Sequence, residues 1–230
     1  CKDSYEVAAI RKAASIAAEA LRQACRYIRP GVTESELAGR IDFEMRRLGA
    51  KASFDTIVAI GANASRAHHQ PTAKKLRGRD TILIDFGARY RGYCCDITRC
   101  FAVGEPAVLY AKAYDVVGQA QLAAIKKIRP GVKIKEVDSA AREAIAASGL
   151  PVYGHGTGHG LGLEIHEQPF LKADSKGRLQ AGQVITVEPA VYMPGKLGVR
   201  IEDDVLVTED GCRVLTSGIP HKPFVLGYRG

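Results

Sequence analysis

The chain has no stretch of about 18 consecutive apolar residues, the length that a helix needs to cross a bilayer. Even its most apolar segments, such as residues 183–193, are interrupted by charged or polar residues within a few positions. It also begins without methionine and without the basic-then-apolar order of a signal peptide. We therefore predict a cytoplasmic protein that contacts no membrane, and a chain that is a fragment or a processed product.

The six cysteines lack the paired C-x-x-C spacing of common zinc sites, because Cys94 and Cys95 are adjacent and Cys100 follows alone. An even number of cysteines would allow disulfides, but a chain of 230 residues with 46% hydrophobic content does not need them to fold. We therefore expect reduced thiols. The net charge of +8 is not concentrated in one basic tract, so we expect no nucleic-acid partner.

The first hundred residues alternate between helical and strand patterns. Apolar residues spaced three and four apart predict a helix over residues 4–28, and Thr33 with Glu36 has the pattern of a capping box that begins a second helix. Residues 53–61 and 81–87 predict strands, because they are rich in β-branched and aromatic residues and end in glycine.

A motif then recurs at an offset of 100 residues. Ile-Arg-Pro-Gly-Val occupies residues 28–32 and again residues 128–132, and each copy lies between a long and a shorter helical pattern. Because motif and surroundings agree, we infer a duplicated unit. The two halves, at about 1–104 and 105–218, are expected to share one core.

Each half also contains two β-rich runs that are joined by a glycine-containing turn, and each run carries a carboxylate at an equivalent place. An unpaired ionised carboxylate is costly to bury, so each acid must meet a cation, a hydrogen-bond donor or water. Salt bridges at strand ends would explain any single acid. A shared cation explains better why four acids occupy equivalent positions, namely Asp85, Asp96, Glu188 and Glu202.

Three histidines, His155, His159 and His166, lie in or beside a segment with five glycines, and His68 and His69 form a second group. A lone histidine is more often structural, but glycines let the backbone pass close to a site and aim imidazoles into it. Four carboxylates and an imidazole suit Mn²⁺ or Co²⁺, with Zn²⁺ or Fe²⁺ as alternatives, and their charge favours two ions. Such a pair can lower the pKa of a shared water, so we predict metal-assisted hydrolysis.

Five segments together resemble the motifs of the pita-bread metallopeptidases, and specifically the Xaa-Pro peptidase branch of aminopeptidase P and prolidase. They are IGANASRAHHQPT, DFGARYRGYCCDITRCF, HGTGHGLGLEIHEQP, ITVEPAVY and GVRIEDDVLV. The similarity runs from about residue 5 to 218. It implies an α+β fold, with a curved antiparallel sheet flanked by helices and two pseudo-symmetric halves. Residues 1–230 would form a single catalytic domain without the N-terminal domain usual in this branch.

The resemblance also implies roles for individual residues. Two divalent ions, Mn²⁺ in the first place, would be held by Asp85, Asp96, His159, Glu188 and Glu202, with Asp96 and Glu202 bridging them. The residues that hold substrate or stabilise the tetrahedral intermediate would be His68, His155, His166 and Arg200, and Glu188 would also accept a proton. The implied reaction is hydrolysis of Xaa-Pro bonds in proline-containing peptides by a metal-bridging water or hydroxide, with a homodimer favoured in the full-length protein.

Two alternatives stay open. A methionine aminopeptidase uses a similar ligand set, although the Pro-Gly turn and arginine before Glu202 resemble the Xaa-Pro branch. A non-catalytic pita-bread binding module would not be expected to keep all five ligands. The creatinase-like hydrolases share the fold but lack this metal set, so the five ligands also argue against them. The chain departs from the branch at Ala67, where proline is frequent, and at Cys95 and Cys100, where serine and threonine are usual. Because Cys95 adjoins Asp96, we expect weaker hydrogen bonding there and a site sensitive to oxidation.

Overall fold

The helices occur as two pairs, one in each half of the chain. In the computed structural model, which describes residues 1–219 and the backbone of residues 224–226, they are α1 (Ser4–Ala24), α2 (Glu34–Arg47), α3 (Val108–Lys127) and α4 (Ile134–Ala147). The helix predicted over 4–28 ends earlier, at Ala24, and a 3₁₀ turn, Cys25–Tyr27, follows it. The predicted capping box of Thr33 and Glu36 is present at the start of α2. Within the described part of the chain, every helix is too short or too polar to span a membrane.

Short strands make up the rest of the regular structure. The strand predicted over 53–61 is confined to β2 (Ile57–Ile60), whereas the one predicted over 81–87 is confirmed as β3 (Thr81–Phe86) with its end one residue earlier. The described strands are β1 (Lys51–Ala52), β2 (Ile57–Ile60), β3 (Thr81–Phe86), β4 (Ala88–Tyr90), β5 (Tyr93–Cys94), β6 (Ile97–Val103), β7 (Gly158–Gly160), β8 (Glu167–Leu171), β9 (Val184–Val187), β10 (Ala190–Met193), β11 (Leu197–Arg200), β12 (Asp203–Val207), β13 (Cys212–Val214) and β14 (Phe224–Leu226).

Of the two larger sheets, one is built mainly from strands of the first half of the chain and the other from strands of the second half. The first-half sheet has the order β14-β6-β3-β2, in which β14 runs parallel to β6 and the other pairs are antiparallel. The second-half sheet has the order β13-β12-β9-β7-β8 and is antiparallel throughout. Strands β1, β4 and β5 form a small sheet, and β10 pairs with β11. These helices and mostly antiparallel sheets confirm the α+β class.

Both faces of the first-half sheet are buried. Ile82 and Ile84 of β3 belong to a core formed with α1 and α2, whereas Leu83, between them, belongs to the core formed with α3, α4 and the second half. Side chains alternate between the faces of a strand, so Asp85 shares the face of Leu83. The strand therefore turns its carboxylate towards the other half of the molecule.

The repeated motif makes the same contacts in both halves. Gly31 donates its backbone N–H to the carbonyl of Leu76 at 2.8 Å, and Gly131 donates to that of Leu179 at 2.8 Å. The two glycines have φ angles of 95° and 83°, in a region that residues with a side chain rarely adopt. The 100-residue repeat is therefore also a repeat in three dimensions.

A buried ion pair joins the two halves. Arg99 of β6, only 2% exposed, donates to Asp203 Oδ1, at the start of β12, at 2.7 Å and to the carbonyl of Glu202, just before β12, at 2.5 Å. It also donates to the carbonyl of Ile219 at 3.1 Å. Asp203 accepts a further hydrogen bond, at 2.9 Å, from Gln121 of α3. The pair thus fixes β12 against β6.

Replacing Arg99 with methionine, which keeps much of the volume, is expected to lower the free energy of unfolding by about 3–5 kcal/mol. The physical reason is that a buried carboxylate loses the cation beside it. Urea denaturation measures the change. Arg22→Met is the control, because it removes an exposed pair with Glu19 and should change stability little. Equal losses in both variants would contradict the proposed importance of the buried pair.

Candidate metal centre

All five predicted metal ligands line one cavity of about 460 Å³. The four acids come from equivalent places in the two halves. In each half, one acid lies at the end of a strand and the other lies just before the strand that pairs with it, whereas the histidine comes from β7. In chain order, Asp85 lies in β3, Asp96 just before β6, His159 in β7, Glu188 just after β9 and Glu202 just before β12. The structure therefore brings together the residues that the repeat had paired only by position.

Three of these residues lie close enough together to share one metal ion. One ligand atom from each of Asp96, His159 and Glu202 lies within 4.8 Å of the others. His159 Nε2 lies 3.6 Å from Asp96 Oδ2 and 3.6 Å from Glu188 Oε1. Oxygen and nitrogen ligands bind Zn²⁺-sized ions at about 2.0–2.2 Å, so two atoms on one ion stand about 3–4 Å apart. The spacing fits a divalent cation.

Two carboxylate oxygens at the cavity have no hydrogen-bond partner. They are the buried Oδ1 atoms of Asp85 and Asp96. Buried acceptors in proteins are nearly always satisfied, so each such atom needs an explanation. Coordination of a cation from the cavity would satisfy both oxygens, and the residues present therefore fit a metal centre.

The carboxylates also disfavour one another's ionisation. Burial, with the charges of Glu202 and Asp85, raises the pKa of Asp96 well above its usual range. Burial, with Glu188 and Asp85, does the same to the pKa of Glu202. Burial raises the pKa of Glu188 to about 8, with Arg200 opposing the shift and Asp85 adding to it. Positive charge in the cavity would stabilise the ionised forms of all three.

His159 presents an unprotonated nitrogen to these acids. Burial lowers its pKa to about 4, so the ring is neutral at pH 7. Its Nδ1 lies 3.0 Å from the carbonyl oxygen of Gly160. A carbonyl only accepts, so Nδ1 carries the proton and Nε2 keeps its lone pair towards Asp96 and Glu188. This is the form of histidine that binds a metal ion.

The two glycines beside His159 allow β7 to fit between its neighbours. A Cβ atom at Gly158 would lie 1.9 Å from the carbonyl oxygen of Thr186, and one at Gly160 would lie 2.3 Å from that of Gln168. Neither position has room for a side chain. The prediction that glycines here let the backbone approach closely and direct an imidazole into the site agrees with this packing.

The three other predicted histidines line the same cavity. His68 and His166 are exposed at its edge, and the His166 ring meets the His159 ring edge-on with centroids 4.4 Å apart. His155 is half-buried, and burial lowers its pKa to about 4. Its Nδ1 faces the carbonyl of Gly156 at 2.7 Å. His155 is therefore neutral, with its proton on Nδ1.

A tyrosine missing from the predicted site connects His155 to Arg200. Tyr192 Oη accepts a hydrogen bond from Arg200 Nη1 and lies 3.1 Å from His155 Nε2. Burial raises the pKa of Tyr192 to about 12, so the hydroxyl keeps its proton and donates it to His155. Tyr192 lies within the ITVEPAVY motif, but a tyrosine in a strand has no pattern that marks it as functional.

Arg200 is held by hydrogen bonds to the residues around it, one of which is the predicted ligand Asp85. It is 3% exposed, and its Nη2 lies 2.5 Å from Asp85 Oδ2. Its Nε donates to Thr98 Oγ1 at 3.1 Å, and Thr98 in turn donates to Glu202 Oε2 at 2.6 Å. Thr98 is a second residue that the sequence analysis missed. Thr98 pairs with Asp85 across β3 and β6, a register that only the folded sheet shows.

Behind Asp96 lie a further carboxylate and the cysteine that drew attention in the sequence. Asp204, also missed, accepts the backbone N–H of Asp96 at 3.1 Å, and burial raises its pKa well above the usual range. The Sγ of Cys95 accepts the backbone N–H of Ala88 at 3.2 Å. Cys95 is fully buried, which raises the pKa of its thiol well above 9. All six cysteines are free thiols.

Known proteins resemble this chain in sequence and in fold. The family model of metallopeptidase family M24 matches residues 8–209. The uncharacterized peptidase YqhT of Bacillus subtilis is 45% identical over 217 residues, which cover 94% of this chain and 62% of that protein. The chain thus spans about three fifths of the length of this relative.

Two solved structures have nearly the same fold. The Xaa-Pro dipeptidase from Bacillus anthracis superimposes with a TM-score of 0.95 at 42% identity, over 98% of this chain and 64% of that one. The X-Pro aminopeptidase from Thermotoga maritima gives a TM-score of 0.95 at 41% identity, over 98% and 64%. These similarities confirm the pita-bread fold and the recognised family. From the match of its sequence and its fold, the chain belongs to metallopeptidase family M24.

Proposed function

We propose that this chain carries the active site of a peptidase that uses two divalent metal ions, Mn²⁺ in the first place, to hydrolyse Xaa-Pro bonds. The observation that carries the proposal is the meeting of four carboxylates and a neutral histidine in one cavity. The Xaa-Pro specificity is supported by the relatives named Xaa-Pro dipeptidase and X-Pro aminopeptidase. We further propose one catalytic domain over residues 1–230, in a cytoplasmic protein that forms a homodimer when full-length.

The residues that would hold the metal ions come from both halves, and in this proposal Asp96 and Glu202 would be shared by the two ions. The set is Asp85, Asp96, His159, Glu188 and Glu202. When bound, divalent ions would lower the pKa of a water molecule and would put a positive charge beside the scissile carbonyl. Glu188 accepts the proton of the attacking water, and its side chain is 18% exposed, compared with 7% for Asp96 and 12% for Asp85. It is thus the more accessible acceptor.

The remaining cavity residues orient the peptide. His68, His155 and His166 face the cavity from different loops, and Arg200 holds Asp85 and Tyr192 in place. An Xaa-Pro bond lacks an N–H and populates the cis form, so a protease that grips its substrate as a β-strand handles it poorly. A site that binds through side chains around an open cavity avoids this requirement.

Removing a proposed bridging ligand is the direct test of the site. Asp96→Ala should lower kcat/KM for Xaa-Pro peptides by more than about a hundredfold, because loss of even an outer-shell partner costs metal enzymes 10–100-fold. Steady-state kinetics with metal analysis of both proteins measures the effect. Asp115→Ala, an exposed aspartate on α3, is the control and should leave activity unchanged. Normal hydrolysis by Asp96→Ala would show that the site is wrongly assigned.

Metal content and substrate choice separate the alternative functions. After chelation, the protein should lose activity, and it should regain activity and about two ions per chain most effectively with Mn²⁺, compared with Co²⁺, Zn²⁺ and Fe²⁺. Xaa-Pro dipeptides and longer Xaa-Pro-led peptides should be cleaved faster than a Met-Ala peptide. Preferred release of methionine would point to a methionine aminopeptidase. A protein that neither binds metal nor hydrolyses any of these peptides would favour the binding module.

The burial of Cys95 makes a prediction that differs from the one made from its sequence position. Its raised thiol pKa and lack of exposure predict that it does not react with a thiol reagent in the folded protein. The number of reactive thiols should be equal in the native protein and in Cys95→Ala, with or without metal. One additional reactive thiol in the native protein on metal removal would instead support the oxidation-sensitive site.

A further inference from the structure

Helix α2 buries one carboxylate against the loop that carries His68. Glu34, the first residue of the helix, is 0% exposed. Its Oε1 accepts from the backbone N–H of Ile60 at 2.7 Å and from Asn63 Nδ2 at 2.8 Å. Its Oε2 accepts from His69 Nε2 at 2.8 Å, and from the N–H and hydroxyl of Thr72 at 3.0 and 2.6 Å. All five donors thus belong to residues 60–72.

These contacts hold a segment that contains no strand of its own. We call residues 61–72 the first histidine loop, which contains a 3₁₀ turn at Gly61–Ser65 and carries His68 into the cavity wall. Glu34 draws together both ends of this loop. On the opposite side, a Cβ atom at Gly198 of β11 would lie 1.8 Å from the carbonyl oxygen of Ala64, so the loop is packed tightly there.

Helix α4 does the same for His155 with different residues. Asp138, also 0% exposed, accepts from the hydroxyl of Thr157 at 2.7 Å and from Arg142 Nε at 2.8 Å. Arg142 then donates to the carbonyls of Tyr153 and His155 at 2.8 and 2.5 Å. We call residues 153–157 the second histidine loop. In both halves a buried acid of the second helix therefore ties down a loop with a cavity histidine.

The repeat does not explain this similarity. The position 100 residues after Glu34 is Ile134, and Asp138 lies one helical turn further along α4. The two halves have reached the same arrangement with acids at different positions. A common requirement, the placement of the cavity histidines, accounts for it better than shared ancestry of the two acids.

Glu34 must be a carboxylate for this purpose. A carboxylate has about four acceptor sites, whereas an amide has one acceptor oxygen and would turn its NH₂ group towards donors. Burial raises the pKa of Glu34, but hydrogen bonds from His69, Thr72 and Ile60 outweigh it and keep the pKa below its usual value. Glu34 is therefore ionised at neutral pH.

We propose that Glu34 and Asp138 are positioning residues, which fix the first and second histidine loops so that His68 and His155 are aligned to bind the peptide. This inference rests on the proposed function, since it assigns both histidines to substrate. Neither acid lies in the cavity. Their effect on the reaction must therefore pass through the loops.

Glu34→Gln tests the proposal in the metal-loaded protein. KM for an Xaa-Pro peptide should rise about tenfold or more, because small misplacements of binding groups can cost up to about 10²-fold, while bound metal stays unchanged. In a His68→Ala background the same change should have no further effect on KM, as expected for residues that act as one unit. Asp138→Asn should likewise raise KM by itself and should have no further effect on KM in a His155→Ala background.

Glu44→Gln is the matched control. Glu44 is also a buried glutamate of α2, 2% exposed, and it pairs with Arg40 and Arg47 on its own helix. The Glu44→Gln change should lower the free energy of unfolding without raising KM. Should Glu34→Gln fail to fold, Thr72→Val replaces it, because that change removes one donor to Glu34 and keeps the side-chain shape. A KM equal to that of the control, or a loss of bound metal, would overturn the proposal.

Hydrogen exchange supplies a measurement that does not need activity. Glu34→Gln should speed amide exchange in residues 61–72 but not in 153–157, and Asp138→Asn should do the reverse. Each variant thus serves as the control for the other. Unchanged exchange in both loops would reject the positioning role. If the wild-type protein cleaves no Xaa-Pro peptide, the proposed function fails, and exchange still decides whether these acids hold the loops.

Discussion

The structure is organised around the cost of bringing like charges together away from water. Asp85, Asp96, Glu188 and Glu202 converge on one cavity, and burial with mutual repulsion raises the pKa of three of them. Two acids come from each half, so the cluster exists only when the halves are joined. The fold must therefore hold the halves together against this repulsion, and the Arg99 contacts across β6 and β12 contribute to that.

Duplication accounts for the symmetry of the site, and departures from duplication account for its chemistry. The acids occupy matching positions, but the imidazole does not. Strand β2 of the first-half sheet contains only buried apolar residues, whereas β7 of the second-half sheet consists of Gly-His-Gly. Only the second half can thus place a histidine, His159, among the carboxylates. The first half contributes His68 from a loop, at the cavity edge.

Buried polar groups connect the strands and loops around the cavity to one another. Arg200 bonds to Asp85, Thr98 and Tyr192, and through Tyr192 it reaches His155. Such networks have few alternative arrangements, because any shift would leave a buried donor or acceptor unpaired. Cys95 lies beside this network, where its Sγ accepts the backbone N–H of Ala88.

The sequence by itself determined the family, the α+β class, the two equivalent halves and the carboxylate pairs. Hydrophobic period, turn glycines and repeated motifs are local signals, and local signals survive in a linear chain. Only the tertiary structure decided which residues stand behind the site. Thr98, Tyr192, Asp204, Glu34 and Asp138 are ordinary in their local sequence, and their importance comes from partners 8 to 108 positions away. That the four acids and the histidine bind metal stays a prediction, and their convergence on one cavity is the observation behind it.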